Sequence, residues 1–441
     1  MNNRFLKYII IILLTFLFLT NFFINFSKEK NNATLNNKKT IIYAGTRIDE
    51  PIRQAILEFN KKDSEYVIKI KDYSNEKNPD LKLTNDILSG NSPDIIDLSW
   101  IPLDILVSKN ILEDLTPYIK NDQELQVDDF IPSVWNAMEI KGKHYYLAPG
   151  FNINTLICKS KDLQTTDGWS YDDLTKIIKN KPTSTQLLSK KSKEDTLYSL
   201  LKVGINDFIN LEEKTCNFNQ QKFKDLLSIC NTYGKYNDGT SNNTKLFKED
   251  KQLLFESDCS LNIDEYLIMD MLFGQSISYV GYPSKDKQGS YFTLYNRIGM
   301  YSNTKEKKGV WRFIRRFMTK EYQATTMYNI YTPTRQDCLD LSIDAAMTTK
   351  PYTNEFGKEI IPRFETGEYD NYSYTETPMT KRQASLFRSL INNTRKCEQN
   401  NDIILQIIKE ESIYYFEGKK TLDETTDIIQ NRITTYINEI Q

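Results

Sequence analysis

The chain has 441 residues with 57 Lys+Arg against 59 Asp+Glu, one His and a formal charge of -2. This near-neutral balance argues against a nucleic-acid-binding protein, which would carry a basic excess, and the length predicts two or three domains with a substantial core. Apolar residues are sparser than in an average globular chain, Gly supplies only 16 positions, and neither GxGxxG nor GxxxxGK occurs, which excludes a glycine-cradled nucleotide phosphate.

Arg4 and Lys7 precede an apolar run from Tyr8 to Leu19, and a weaker apolar stretch continues to Phe26. This pattern reads as an export segment. The shorter run has the length of a signal-peptide core, whereas the whole stretch is long enough to span a bilayer as a helix. No A-x-A site follows and no Cys stands ready for a lipid, which favours an uncleaved signal anchor over residues 1–26. The positive charges before the run place the remainder outside the cytoplasm. Residues 27–39 (SKEKNNATLNNKK, from Ser27) are polar and unpatterned, and read as a flexible tether.

From Thr40 strands and helices alternate. Thr40–Ala44 is a short apolar strand, and Asp49, Glu50 and Pro51 then supply an acidic cap and a first-turn proline. Ile52, Ala55, Ile56 and Phe59 fall at i, i+3, i+4, i+7, the face of a helix that packs on a sheet. Tyr66–Tyr73 is the next strand, Leu81–Ser89 a helix ended by Gly90, and Pro93–Leu98 a third strand leading into Ser99-Trp100. Two such βαβ units imply a parallel α/β sheet.

Asp129–Met138 reads as a helix and Glu139–Leu147 as a hairpin turning at Lys141-Gly142. Pro149-Gly150 then breaks the chain before a strand over Asn152–Ile157. Ser170 with Asp173 forms an S-x-x-D cap for a helix carrying Leu174, Ile177 and Ile178. Phe223, Leu226, Leu227 and Cys230 have helical spacing. Ser276–Val280 is a strand ending at a second break, Gly281–Ser284; Val310, Phe313, Ile314 and Phe317 mark a helix; Tyr331–Thr334 is a third break. The remainder is helical: Leu386, Phe387, Leu390 and Ile391; then Ile403, Ile404, Ile407 and Ile408; then a T-x-x-E cap from Thr421 to Glu424 before Ile429, Ile433 and Ile437.

Six cysteines, Cys158, Cys216, Cys230, Cys259, Cys338 and Cys397, show no CxxC and no zinc spacing, and with His144 the sole histidine no metal site or cofactor is expected. Export permits disulfides without requiring them, and the sequence assigns no pair.

Several strings, taken in order, resemble the bacterial extracellular solute-binding proteins of the family 1, sugar-transporting type. They are Ala55–Asn60 (AILEFN), Ser92–Asp97 (SPDIID), His144–Gly150 (HYYLAPG), Gly168–Leu174 (GWSYDDL), Val280–Ser284 (VGYPS), Trp311–Phe317 (WRFIRRF), and Tyr415–Thr421 (YFEGKKT) with Ile429–Arg432. The match spans roughly residues 40 to 441. It departs in one respect: such proteins from single-membrane bacteria usually carry a lipidated Cys after the signal, and none stands there in this sequence.

The resemblance implies a two-lobe, periplasmic-binding-protein-like α/β fold (type 2), each lobe a mixed sheet flanked by helices and joined by a three-crossing hinge. Lobe one would be residues 40–149 plus 284–331 and lobe two 151–281 plus 333–441. Three breaks suit a chain passing three times between lobes. The implied role is the substrate-binding component of an ABC importer that captures a sugar or oligosaccharide and hands it to permease subunits. A monomer at the outer face of the bacterial cytoplasmic membrane, or secreted, is the expected form.

A carbohydrate site needs an aromatic platform and polar groups for its hydroxyls. Trp100, directly after a strand, is the first candidate; Trp135, Trp169 and Trp311 read as core. Arg47 and Asp49, after the first strand, are polar candidates, with Asp49 equally placed to cap the helix. Phe151 and Tyr282 flank crossings and either line the cleft or pack the hinge, and Arg335 follows the third crossing. Two rival readings remain. A membrane-tethered solute sensor would carry the same lobes. An exported glycan-acting hydrolase needs two carboxylates about 5 to 9.5 Å apart. GxSxG, HExxH and a Cys-nucleophile signature are absent, and His144 lies in a Tyr-rich strand, so a non-catalytic protein is the expectation.

Overall fold

The computed structural model of the protein describes residues 38–439, apart from residues 102, 164–167, 236–241, 328–330, 358, 363–365 and 399–400. The expected export segment and nearly all of the tether lie outside the described residues. Among the described residues, no helix is long and apolar enough to cross a membrane.

The chain divides into two compact units. The first runs from the first described residue to Ile101 and adds Leu106–Glu113 and Ile298–Ile314; the second holds Pro102–Ile105, Asp114–Arg297 and Arg315–Gln441.

In the first unit the strand Lys39–Gly45 pairs in parallel with Tyr66–Asp72, from Lys39↔Tyr66 to Gly45↔Asp72. On its other side it pairs in parallel with Ile95–Asp97, which pairs antiparallel with Ile298–Met300. Parallel neighbours need a crossover, and the helix Glu50–Lys62 supplies it. That helix starts because the Asp49 carboxylate accepts the Ile52 N–H at 3.0 Å and Pro51 sits in its first turn. Its predicted face, Ile52, Ala55, Ile56 and Phe59, is buried. Phe59 meets Phe313 edge to face at 5.4 Å, and Tyr43 reaches the same ring at 6.2 Å.

Two motif residues have a physical use here. The Asn60 side chain donates to the Ile68 carbonyl at 2.8 Å and accepts its N–H at 2.7 Å, stitching the helix end to the edge strand. The Asp94 carboxylate accepts the Ile42 N–H at 2.8 Å and the Thr304 hydroxyl at 2.5 Å, fixing the entry to Ile95–Asp97. The helix Lys307–Ile314 buries Val310, Phe313 and Ile314 but leaves Trp311 only partly covered, so Trp311 is not the core residue its neighbours suggested.

Asp63, at the foot of the crossover helix, accepts N–H groups of Glu65 at 2.9 Å and Tyr66 at 2.8 Å and the Arg312 guanidinium at 2.6 Å. Burial alone raises its pKa, but the Arg312 bond and the two backbone donors outweigh it, and the carboxyl sits below its ordinary value. A depressed carboxylate contributes stability that is full above its unfolded pKa, about 4, and is lost as pH falls through the folded one. Urea unfolding at pH 7 and pH 3 should therefore show a smaller acid loss in Asp63→Asn than in the wild type. Equal losses would mean that the Arg312 pair does not hold the proton off.

The second unit contains two main sheets. Leu156–Lys159 lies between Ile277–Tyr279 and Leu254–Glu256, antiparallel to both. The other sheet runs Thr332–Pro333, Gly150–Asn154, Tyr291–Tyr295, Lys396–Cys397. The single strand expected over Asn152–Ile157 is therefore two strands of different sheets, broken at Thr155. The Thr155 hydroxyl accepts the Gly281 N–H at 3.0 Å and the Ser290 hydroxyl at 2.9 Å, tying this break to the predicted one at Gly281. Gly281 has φ +72°, and a Cβ there would lie 2.6 Å from the Ser290 nitrogen, so only glycine fits. At the predicted hairpin, Lys141 and Gly142 both have positive φ, the geometry a two-residue turn requires, between the mutual backbone bonds of Ile140 and Lys143.

Helices Tyr171–Ile178, Lys193–Gly204, Gln221–Tyr233, Asp402–Phe416 and Leu422–Glu439 build a shared core with Leu174, Leu200, Phe223, Ile408 and Ile433 fully buried. Ser170 and Asp173 form the expected capping box, and Thr421 with Glu424 repeats it. Along Asp402–Phe416, Ile404, Ile407 and Ile408 are buried while Ile403 is exposed.

Candidate ligand-binding site

In the first unit, parallel pairing of Lys39–Gly45 with Ile95–Asp97 makes the loops after both strands leave the same edge of the sheet. Arg47 belongs to one loop and Trp100 to the other, and the Arg47 guanidinium lies 4.1 Å from the centre of the Trp100 ring. Trp100 is 53% exposed, whereas Trp135 and Trp169 are buried. A cation over an indole in this setting contributes about 0.5–1 kcal/mol, enough to hold the ring in one orientation. The remaining ring surface is a flat apolar face with a guanidinium beside it, the pairing that suits a sugar's C–H face and its hydroxyls. Asp49, the third candidate here, spends a carboxylate oxygen on the helix cap.

Three residues before Trp100 stands Asp97, buried, whose carboxylate accepts the Ser99 N–H at 3.0 Å and the Tyr43 hydroxyl at 3.3 Å. Burial pushes its pKa up, against the Ser99 bonds that pull it down. Its bond to Ser99 shapes the turn that presents Trp100, a role that no local spacing in the sequence marked.

In the second unit, Tyr282 lines a cavity of about 340 Å³, together with Asn154, Lys191, Glu256 and Ser260. The Tyr282 hydroxyl donates to Glu256 at 2.6 Å, and Lys191 contacts the other oxygen of that carboxylate. Burial raises the Glu256 pKa, but the Lys191 charge and bond outweigh it and leave the group below its ordinary value. Burial and the neighbouring Glu256 charge push Tyr282 well above its own. At neutral pH the site thus presents a carboxylate and a neutral phenol. The Ser260 hydroxyl donates to Asn154 Oδ1 at 3.0 Å, and Asn154 Nδ2 donates to the Thr293 hydroxyl at 2.8 Å. Such a chain of donors and acceptors suits a polyhydroxylated solute. Of its members, sequence reasoning selected only Tyr282; Glu256, Lys191, Asn154 and Ser260 come from distant segments with no shared motif.

The last two candidates are engaged in packing. Phe151 is fully buried in its strand, its ring set edge to face on Phe292 at 5.0 Å. Arg335 is 7% exposed, with its guanidinium bonded to both oxygens of Asp337 at 2.9 Å, 3.1 Å from Asp129 and over the Phe130 ring. His144 is buried with Nε2 3.3 Å from the Trp135 carbonyl, and burial lowers its pKa, so it stands as a neutral core residue. All six cysteines are free thiols, and burial raises Cys158 to about 12. Among the described residues no group of three or more His, Cys, Asp or Glu is arranged to hold a metal ion.

The family described as bacterial extracellular solute-binding proteins matches residues 54–353. The chain belongs to that family. Solved structures with the same fold include the sugar-binding protein MalE from Xanthomonas citri, at TM-score 0.58 and 12% identity over 91% of this chain and 98% of that one. A periplasmic oligogalacturonide binding protein from Yersinia enterocolitica follows at TM-score 0.55 and 12% identity, over 91% and 99%. An extracellular solute-binding protein family 1 from Alicyclobacillus acidocaldarius gives 0.53 and 13%, over 91% and 99%. A search of curated protein sequences finds no match. The fold of this solute-binding protein is accordingly the α/β, two-lobe, periplasmic-binding-protein-like one. Its family and these neighbours are binding proteins rather than enzymes.

Proposed function

We propose that this solute-binding protein is the substrate-capturing component of an ABC importer, that its solute is a sugar or oligosaccharide, and that it has no catalytic activity. The observation that carries the reading is the exposed Trp100 ring held by Arg47 at the edge where two parallel strands end, the side of an α/β sheet where ligands bind. Kinship with proteins named for sugar and oligogalacturonide binding supports the same class. In this reading the lobes are residues 40–149 plus 284–331 and 151–281 plus 333–441. The three chain breaks then act as a hinge that closes on the solute, and Asn154, Glu256 and Ser260 supply hydrogen bonds from the second lobe and Tyr282 from the second break. Asp49, Phe151 and Arg335 would support the site from behind. The protein works outside the cytoplasm as a monomer, held at the membrane by its N-terminal apolar segment, and passes its cargo to permease subunits.

A ligand present at 100 times its dissociation constant adds about 2.7 kcal/mol to stability. Thermal unfolding with separate pools of saccharides, peptides and polyamines should show a raised midpoint in the saccharide pool alone. Stabilisation by peptides or polyamines and by no saccharide would overturn the sugar assignment.

A further inference from the structure

The helix Lys381–Asn393 carries the apolar stripe Leu386, Phe387, Leu390, Ile391, yet only Phe387 and Ile391 are buried, and Leu386 is 49% exposed. Leu386 and Leu390 instead line a cavity of about 590 Å³ within the second unit. Its other walls include the helix Ile263–Phe273, the edge strand Ile277–Tyr279 and the segment Lys287–Ser290. None of its lining residues belongs to the cavity around Tyr282 and Glu256. The volume is in the range of small-molecule sites.

Three features bear on what it holds. The rings of Tyr266 and Tyr279, both in the wall, stack at 5.3 Å with planes 29° apart. The Tyr279 hydroxyl and the Gln288 side-chain carbonyl, in the same lining, are buried with no hydrogen-bond partner among the described residues. Unpaired buried polar atoms are destabilising, so this wall is not optimised for packing alone. Finally, Arg382 and Arg395 are exposed lining residues that form no ion pair among the described residues. The carboxylate of the wall, Asp270, accepts from Gln383 Nε2 at 2.6 Å. That neutral amide does not cancel the Asp270 charge, but the two guanidinium groups exceed it by one positive charge, and guanidinium forks match carboxylate or phosphate oxygens.

We propose that this cavity is a second ligand site, separate from the solute site, for a small ring-bearing organic anion: the ring lies against Tyr266, Tyr279 and Leu386, and the carboxylate or phosphate is held by Arg382 and Arg395. The proposal goes beyond the import reading and does not depend on it.

The test is titration calorimetry of the full-length protein with three probes, 4-hydroxybenzoate, glucuronate and glucose 6-phosphate, which distinguish an aromatic acid, a sugar acid and a sugar phosphate. At least one should bind with a dissociation constant of about 1 mM or tighter. Arg382→Gln with Arg395→Gln should weaken it at least about tenfold, a loss of 1.4 kcal/mol or more, while Trp100→Ala leaves it unchanged. Both arginines are exposed, so the double variant should keep the wild-type melting temperature; Leu386→Ala, at a half-exposed residue of the wall, provides a second variant that should also weaken binding. Absence of binding by all three probes, undiminished binding in the double variant, or loss of binding in Trp100→Ala would each overturn the proposal.

Discussion

Trp100→Ala should weaken binding of the cognate saccharide by about thirtyfold or more while leaving the fold intact. The size follows from its place: an aromatic anchor in a recognition site typically contributes about 2 kcal/mol or more when truncated. The small effect on stability follows from its 53% exposure. What the folded protein loses is the Arg47 contact at 4.1 Å and little else, about 0.5–1 kcal/mol. Trp100→Phe should retain part of the affinity, since it preserves a ring face, and Arg47→Ala should cost less than Trp100→Ala. Titration calorimetry paired with thermal unfolding reads both effects. An affinity unchanged by Trp100→Ala would remove this residue from the site.

Trp169→Ala should have the opposite signature, a large loss of stability. Its ring is 1% exposed in the core of the second unit, and its Nε1–H donates to the Gly281 carbonyl at 2.7 Å. Deleting a buried Trp costs about 3–5 kcal/mol through lost burial and the cavity left behind, and leaving the carbonyl unpaired adds about 1–3 kcal/mol. Against a total stability of about 5–15 kcal/mol, that unfolds much of the unit's population near physiological temperature. The carbonyl belongs to the glycine held at φ +72°, so the same change should loosen the chain break at Gly281. Trp169→Phe separates the two contributions: it keeps much of the ring and loses the bond, and should cost about 1–3 kcal/mol in urea unfolding. No cost for Trp169→Phe would mean that the bond to Gly281 contributes nothing.

Where local rules act within a few residues, the sequence was a faithful guide. The Asp49 cap, the Ile52–Phe59 face and the Ser170–Asp173 box appear as expected because capping and helical periodicity are short-range. The failures have a common physical origin in tertiary context. Asn152–Ile157 reads as one strand because its apolar pattern runs unbroken, but Thr155 is claimed by Gly281 and Ser290, more than 120 residues away. Leu386 reads as core because it lies on an apolar stripe, yet it stands half-exposed in the wall of a cavity. The hairpin Thr366–Tyr369 with Tyr372–Thr375 turns at Asp370 and Asn371, both at positive φ, without the glycine that would have announced it.

The candidate site divides in the same way. Trp100 and Arg47 were legible because each directly follows an apolar strand, and parallel neighbours deliver their following loops to one edge. Asp97 was hidden inside a strand pattern. Glu256, Lys191 and Asn154 gather around Tyr282 only through folding, since the three lie in separate segments of the chain. Phe151 and Arg335 were marked by proximity to chain breaks, and their burial shows how the same breaks also demand packing residues.

Capture of a sugar between closing lobes must compact the molecule, which small-angle scattering with and without a stabilising saccharide reads. The radius of gyration should fall reproducibly on adding the sugar, and should not fall in Trp100→Ala at the same concentration. A saccharide that raises the melting temperature yet leaves the radius of gyration unchanged would contradict capture by closure.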